Sequence, residues 1–310
     1  MKRTVEEIGA KMDALGLWDL LGPYNWAVRP RGTVFPYFCT VLKGDAKPVK
    51  VRFLMLEGWQ TLHDYVHVRV DRNYGCCSSP IELPHYELVV LTTGEAKLFR
   101  HDAGYLPIEA NAAQREFASK ILWEAFGVML RVESDRQLPM KFADDQAIFA
   151  RVEGADGAWR DEPLVIPPPR PLVEKVSFPK ALVQKAVDLP LVSADAIELD
   201  FRLRPTVMTR EPRPRCVYGL VGIDAKTGAK LIDSRVSMHP EAGLKGLWES
   251  MPAQVMSELV RLGKVPGEIR LCSGRVFRFL RPMCMELPFK LTLRDSLPAL
   301  DAAYSVCARG

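Results

Sequence analysis

The chain has 310 residues, 48 % of them apolar and 26 % charged, with a formal net charge of +4. That mixture belongs to a folded globular protein and excludes an intrinsically disordered one, which would carry fewer aliphatics and a larger charge imbalance. No segment reaches the about 18 consecutive apolar residues of a membrane-spanning helix, so no membrane partner is expected.

The N-terminus, MKRTVEEIGAKMDALGLWDLL, starts basic and then alternates acidic with apolar residues. It reads as an amphipathic helix and not as a signal peptide. The seven cysteines, Cys39, Cys76, Cys77, Cys216, Cys272, Cys284 and Cys307, are odd in number and scattered, so they form no disulfide framework. Reduced thiols and a cytoplasmic location are expected.

In chain order, Val5, Ile8, Met12, Leu15 and Leu20 fall near helical spacing, and Gly22-Pro23 stops that helix. VFPYFCTVL (34–42) and VKVRFLML (49–56) read as strands joined by a turn at Lys43-Gly44-Asp45. YELVVLTT (86–93) and EAKLFR (95–100) form a hairpin across Gly94. NAAQREFASKILWEAFGVML (111–130) is a helix with Phe117, Ile121, Leu122, Phe126 and Leu130 on one stripe. Asn111 and Gln114 are placed to cap it. QAIFARVEG and AWRDEPLVI pair around Ala155-Asp156-Gly157. The run Pro167-Pro168-Pro169, with Pro171 after it, favours extended polyproline backbone and marks a connector.

Beyond it, PKALVQKAVDLP (179–190) is a short helix. AIELDFRLR (196–204) alternates apolar Ile197, Leu199, Phe201 and Leu203 with Glu198, Asp200, Arg202 and Arg204. Residues 215–237 make a hairpin turning at Asp224 and Gly228. A helix follows through Leu244 to Leu262, which Pro252 is expected to kink or divide. Gly263 ends it. EIRLC (268–272), a helix capped by Ser273, FKLTL (289–293) and a helix from Pro298 to Cys307 complete the chain. A helix between the last two strands makes them parallel.

The fold class is therefore α+β with two mixed α/β domains: residues 1–161, a Pro-rich connector at 162–175, and residues 176–310. The C-terminal domain has a ribonuclease H-like strand order, a hairpin plus strand and then alternating helix and strand. GIDAKTGAKLIDSRV (222–236), LGKVPGEIRLCSGRVFRFLRP (262–282) and DSLPALDAA (295–303), together with HDAGYLPIEANAAQREFASKIL (101–122), resemble an uncharacterised bacterial two-domain family of unknown function. The resemblance covers most of the chain. It rests on turn and packing motifs, so it implies a fold and no catalytic residues.

Three constellations bear on function. In His63-Asp64-Tyr65-Val66-His67 two imidazoles stand four apart, one turn on a helix. The stretch 65–70 also alternates like a strand, and four residues along a strand span about 13 Å, too far for one ion. Further ligands would come from Cys76, Cys77 or His85, and Asp64 is shorter than the Glu of zinc proteases. No metal and no cofactor are expected there. Second, Asp200 sits on the first strand of the C-terminal sheet, where a ribonuclease H-like nuclease needs its first acid, and Glu249 follows on the helix. The fourth strand ends Leu271-Cys272-Ser273, without the acid two metal ions require. Third, the chain is unevenly charged. Residues 1–165 carry 20 Lys+Arg against 23 Asp+Glu, and residues 166–310 carry 22 against 15. Arg202, Arg204, Arg213, Arg215 and Arg275 offer forks suited to an anion. Signatures of a nucleophile elbow or a phosphate-binding glycine loop are absent. The reading is a non-catalytic binding or interaction module with a protein or nucleic-acid partner, the latter through the basic C-terminal half. The competing reading is a metal-dependent phosphodiesterase or nuclease using Asp200 and Glu249.

Overall fold

The structure, a computed structural model, describes residues 4–16, 26–43, 47–70, 83–141, 146–168, 176, 178–204, 213–238 and 243–307. They form two compact α+β units. Among the described residues, no helix is long and apolar enough to cross a membrane.

The first unit holds α1 (Val5–Ala14), β1 (Trp26–Arg29), β2 (Tyr37–Lys43), β3 (Val49–Glu57), α2 (Gly58–Val70) as far as His67, β4 (His85–Leu91), β5 (Ala96–His101), β6 (Ile108–Glu109), α3 (Ala112–Ser134), β7 (Ala147–Glu153) and β8 (Trp159–Val165). The strands make one sheet in the order β6-β5-β4-β3-β2-β1-β7-β8. Capping boxes start the two long helices: Thr4 with Glu7 on α1, Asn111 with Gln114 on α3. Both helices cover one face of the sheet. There Ile8, Met12, Ile121, Leu122 and Met129 bury against Met55, Leu88 and Leu98. The other face receives α2, whose Leu62 and Tyr65 pack on Phe38, Leu54 and Leu56.

Several expectations shift. Residues 65–70 are helical and not a strand. Gly58, at φ +82, turns the chain out of β3 straight into α2, and Leu62 and Tyr65 present one helical face to the sheet. On α3 the buried stripe passes through Ala125, Val128, Met129 and Val132, so Leu130 is left 36 % exposed. Residues 162–165, read as the start of the connector, belong to β8 and pair with residues 147–150. Pro163 is tolerated because β8 is an edge strand. The rest of the Pro-rich stretch, 169–175, lies outside the described residues, as do Leu20, Gly22-Pro23 and Gly44-Asp45.

The second unit holds α4 (Lys180–Val187), β9 (Leu191–Arg204), β10 (Val217–Asp224), β11 (Lys230–Ser237), α5 (Gly243–Leu262), β12 (Val265–Leu271), α6 (Gly274–Leu280), β13 (Lys290–Leu293) and α7 (Pro298–Cys307). Its sheet runs β11-β10-β9-β12-β13. β10 is antiparallel to both neighbours, β12 is parallel to β9, and β13 is parallel to β12. Pro252 does not divide α5, which stays one helix. Trp248, Met251, Val255, Met256 and Leu259 are buried on both sides of the proline. Their packing outweighs the one backbone hydrogen bond it removes.

The two faces of this sheet carry different chemistry. Phe201 and Tyr218 meet Trp248 of α5, with ring centroids 5.2 and 6.3 Å apart. On the opposite face, Val221 and Ile223 pack with Leu297 and Leu300 at the start of α7. The alternation along β9 therefore turns Glu198, Asp200, Arg202 and Arg204 toward the α7 side.

Candidate functional site

On the α7 side of the second unit, Glu198 is 3 % exposed and accepts the backbone N–H of Leu300 at 2.9 Å. It satisfies an orphan donor in the first turn of α7, so this buried carboxylate serves the fold. Asp200 pairs with Arg202, and the Arg202 guanidinium lies 3.9 Å from the centre of the Tyr304 ring. Burial pushes the Asp200 carboxyl above its ordinary value, against the opposing pull of Arg202. Cys272 follows β12 at the place where a nuclease would need an acid. Burial, then the charges of Asp301, Asp200 and Glu198, push its thiol up to about 11. It stays protonated and is a poor nucleophile.

Glu249 is not part of this group. It lies on α5, on the other side of the sheet, and pairs with Lys245 at 3.7 Å. The structure therefore separates Asp200 from Glu249, because α5 packs on the apolar face of β9.

The five arginines are likewise divided. Arg202 and Arg204 lie on the α7 side, and Arg204 Nη2 donates to Asp233 Oδ1 at 2.9 Å. Arg275 stacks on Trp248, 3.8 Å from its ring centre, on the α5 side. Arg215 Nη1 donates to the carbonyl of Met238 at 2.6 Å, and Arg213 is half-buried.

The strand register supplies what the sequence reading missed. Arg202, Gly219 and Arg235 stand in one row across β9, β10 and β11. Gly219 is buried, and the Arg204 side chain lies across it, closer than any Cβ there would allow. Arg235 is exposed. Across β9, β10 and β11 this face carries, with Lys230, four cations against Glu198, Asp200 and Asp233, a net of +1.

In the first unit, His63 Nε2 is 2.9 Å from the carbonyl of Pro167. The side chain of His67 and the whole of Cys76 and Cys77 lie outside the described residues. A different trio comes together instead. The β4–β5 register sets His85 opposite His101, and the alternation places Glu87 on the same face. All three are buried, at 0, 3 and 1 % exposure for His85, Glu87 and His101. Their donor atoms lie within 4.8 Å of one another, and they are the one such trio among the described residues. His85 Nδ1 donates to the carbonyl of Leu83 at 2.7 Å. His101 Nε2 donates to Glu87 Oε2 at 2.7 Å, and Arg52 Nη1 donates to Glu87 Oε1 at 3.0 Å. The two rings stack with centroids 4.0 Å apart and planes 20° apart.

Burial, with the His101 ring beside it, holds the His85 imidazole down at about 3. Burial pushes Glu87 up, but the bond from His101 and the nearby cations pull harder, and its carboxyl sits below the ordinary value. The signal for this trio was present as His85-Tyr86-Glu87 on a strand. Folding the hairpin at Gly94 one pair further brings 101 against 85.

The fold and these sites define an α+β protein with a charged face on a mixed five-stranded sheet and a buried imidazole–carboxylate cluster. Residues 182–306 match a family described as a domain of unknown function, DUF6930. No curated protein and no solved structure matches the chain.

Proposed function

We propose that the protein is a non-catalytic binding module whose second unit holds the phosphate backbone of a nucleic acid. The observation that carries this reading is the row Arg202–Gly219–Arg235, with Arg204 lying across the glycine. Guanidinium forks over a floor without a side chain suit phosphate oxygens. Asp200 and Asp233 orient two of the arginines and leave the face positive. The order β11-β10-β9-β12-β13 supports a ribonuclease H-like frame. Against the nuclease reading stand the Asp200–Arg202 pair, the protonated thiol at Cys272 and the placement of Glu249 on the far face. An arginine neutralises the first-strand acid here, and no acid follows the fourth strand, so two divalent cations would lack ligands. The match over residues 182–306 to a domain of unknown function is consistent with an uncharacterised family, and we place the second domain at 176–310.

The test is fluorescence anisotropy of a labelled oligonucleotide at graded salt. Binding should weaken steeply with salt. Arg204→Glu with Arg235→Glu should weaken it at least tenfold, and Arg275→Glu should leave it in place. Absence of binding, or equal binding by all variants, contradicts the reading. Binding to an acidic polypeptide in preference to the oligonucleotide would reassign the partner to protein.

A further inference from the structure

We infer that His85, Glu87 and His101 form a binding site for one divalent transition-metal ion in the first unit, with two imidazoles as ligands. The inference is independent of the proposed function, which concerns the other unit.

Three observations carry it. One possible ligand atom from each of the three side chains lies within 4.8 Å of the other two. Their exposures of 0, 3 and 1 % set all three side chains away from bulk solvent. Most telling are the two remaining ring nitrogens. His85 Nε2 and His101 Nδ1 are buried with no hydrogen-bond partner. An orphaned buried acceptor costs about 1–3 kcal/mol, and two side by side in one cluster form a half-satisfied network, the costly kind.

The hydrogen bonds also choose the tautomers. The Leu83 carbonyl can only accept, so His85 Nδ1 carries the proton and Nε2 keeps a lone pair. Glu87 accepts from His101 Nε2, which in a neutral ring leaves the lone pair on Nδ1. A metal-binding histidine is typically prepared in this way, its second nitrogen donating to a backbone carbonyl or a carboxylate. Glu87 then acts as the orienting group, and Arg52 holds its other oxygen. Imidazole and carboxylate donors suit zinc and its neighbours better than calcium or magnesium.

The rings as they stand are stacked, 4.0 Å apart, so their in-plane lone pairs do not meet. Binding one ion turns one ring out of the stack.

The test uses the full chain, stripped with a chelator and titrated with Zn²⁺, and with Co²⁺ for its visible absorption. One equivalent of Co²⁺ should bind and develop an absorption band. His85→Asn and His101→Asn should each abolish it, and Glu87→Gln should weaken binding about 10–100-fold. His63→Ala should not change it. Since a variant of so buried a cluster can fail to fold, the wild-type chain carries a second readout. Of its five histidines, Zn²⁺ should shift the side-chain NMR resonances of His85 and His101 and leave His63 in place. Absence of stoichiometric metal, shifts confined to His63 or His67, or unchanged binding in folded His85→Asn and His101→Asn overturns the inference.

Discussion

At the scale of single residues, two glycines show how closely backbone and side chains meet in the second unit. Gly267 sits at the irregularity of β12 where its pairing with β9 shifts between Pro266 and Glu268. A Cβ there would strike the backbone carbonyl of Ser193, which cannot move aside as a side chain can. Gly267→Ala is expected to cost about 1–3 kcal/mol by overpacking. A lowered urea midpoint checks it, and an unchanged midpoint refutes the contact. Gly219→Ala acts differently, since its methyl would meet the guanidinium end of Arg204. Its expected effect is weaker anion binding at nearly unchanged stability, read from anisotropy beside a thermal melt. The alternation of charge along AIELDFRLR was legible in the sequence, and so was the face on which Asp200 and Arg202 lie. That Arg235 joins them was not, because it depends on the register of β10 against both neighbours, which short polar side chains do not announce.

At the scale of elements, β12 and β13 are tied by one carboxylate. Glu268 accepts from Arg270 Nε at 2.8 Å, Thr292 Oγ1 at 2.8 Å and Arg294 Nη2 at 3.0 Å. Partial burial pushes its carboxyl up, but these three donors prevail and bring it down to about 2. A carboxylate with a depressed folded value adds stability above its unfolded value, near 4.5, and loses it as pH falls through about 2. Glu268→Gln is therefore expected to lower stability at pH 7 by about 1 kcal/mol, a figure kept small for partly solvated pairs. The gap from the wild type should close as the pH approaches 2, which denaturant titrations at stepped pH will measure. Several helices and hairpins were readable from their caps and turn residues: Asn111, Ser273, Gly157 and Gly228 all stand where those signals put them. What periodicity does not encode is which side of a sheet a helix covers. Glu249 follows Asp200 in sequence and still lies across the sheet, because Trp248 beside it seeks Phe201. The alternation within 65–70 misled for a related reason: β-branched valines fit either state, and Gly58 with Leu62 decided for a helix.

At the scale of the whole molecule, the chain divides into two units, each with its own sheet. Residues 176–310 expressed alone are expected to give a cooperative thermal transition and to keep the anion binding. Loss of cooperative melting in that fragment would place the domain boundary elsewhere. The cluster at His85, Glu87 and His101 belongs to the other unit and should be lost with it. The clearest signal missed in the sequence lies at this scale too: two histidines 16 positions apart meet only once a hairpin is closed with its register known.

Whether the proposed ribonuclease H-like frame binds without cutting is decided by incubating the purified protein with end-labelled single- and double-stranded oligonucleotides in Mn²⁺. Full-length oligonucleotide is expected after prolonged incubation, retained by the wild type and released by Arg204→Glu with Arg235→Glu. Metal-dependent shortening of the oligonucleotide that disappears in Asp200→Asn would contradict it.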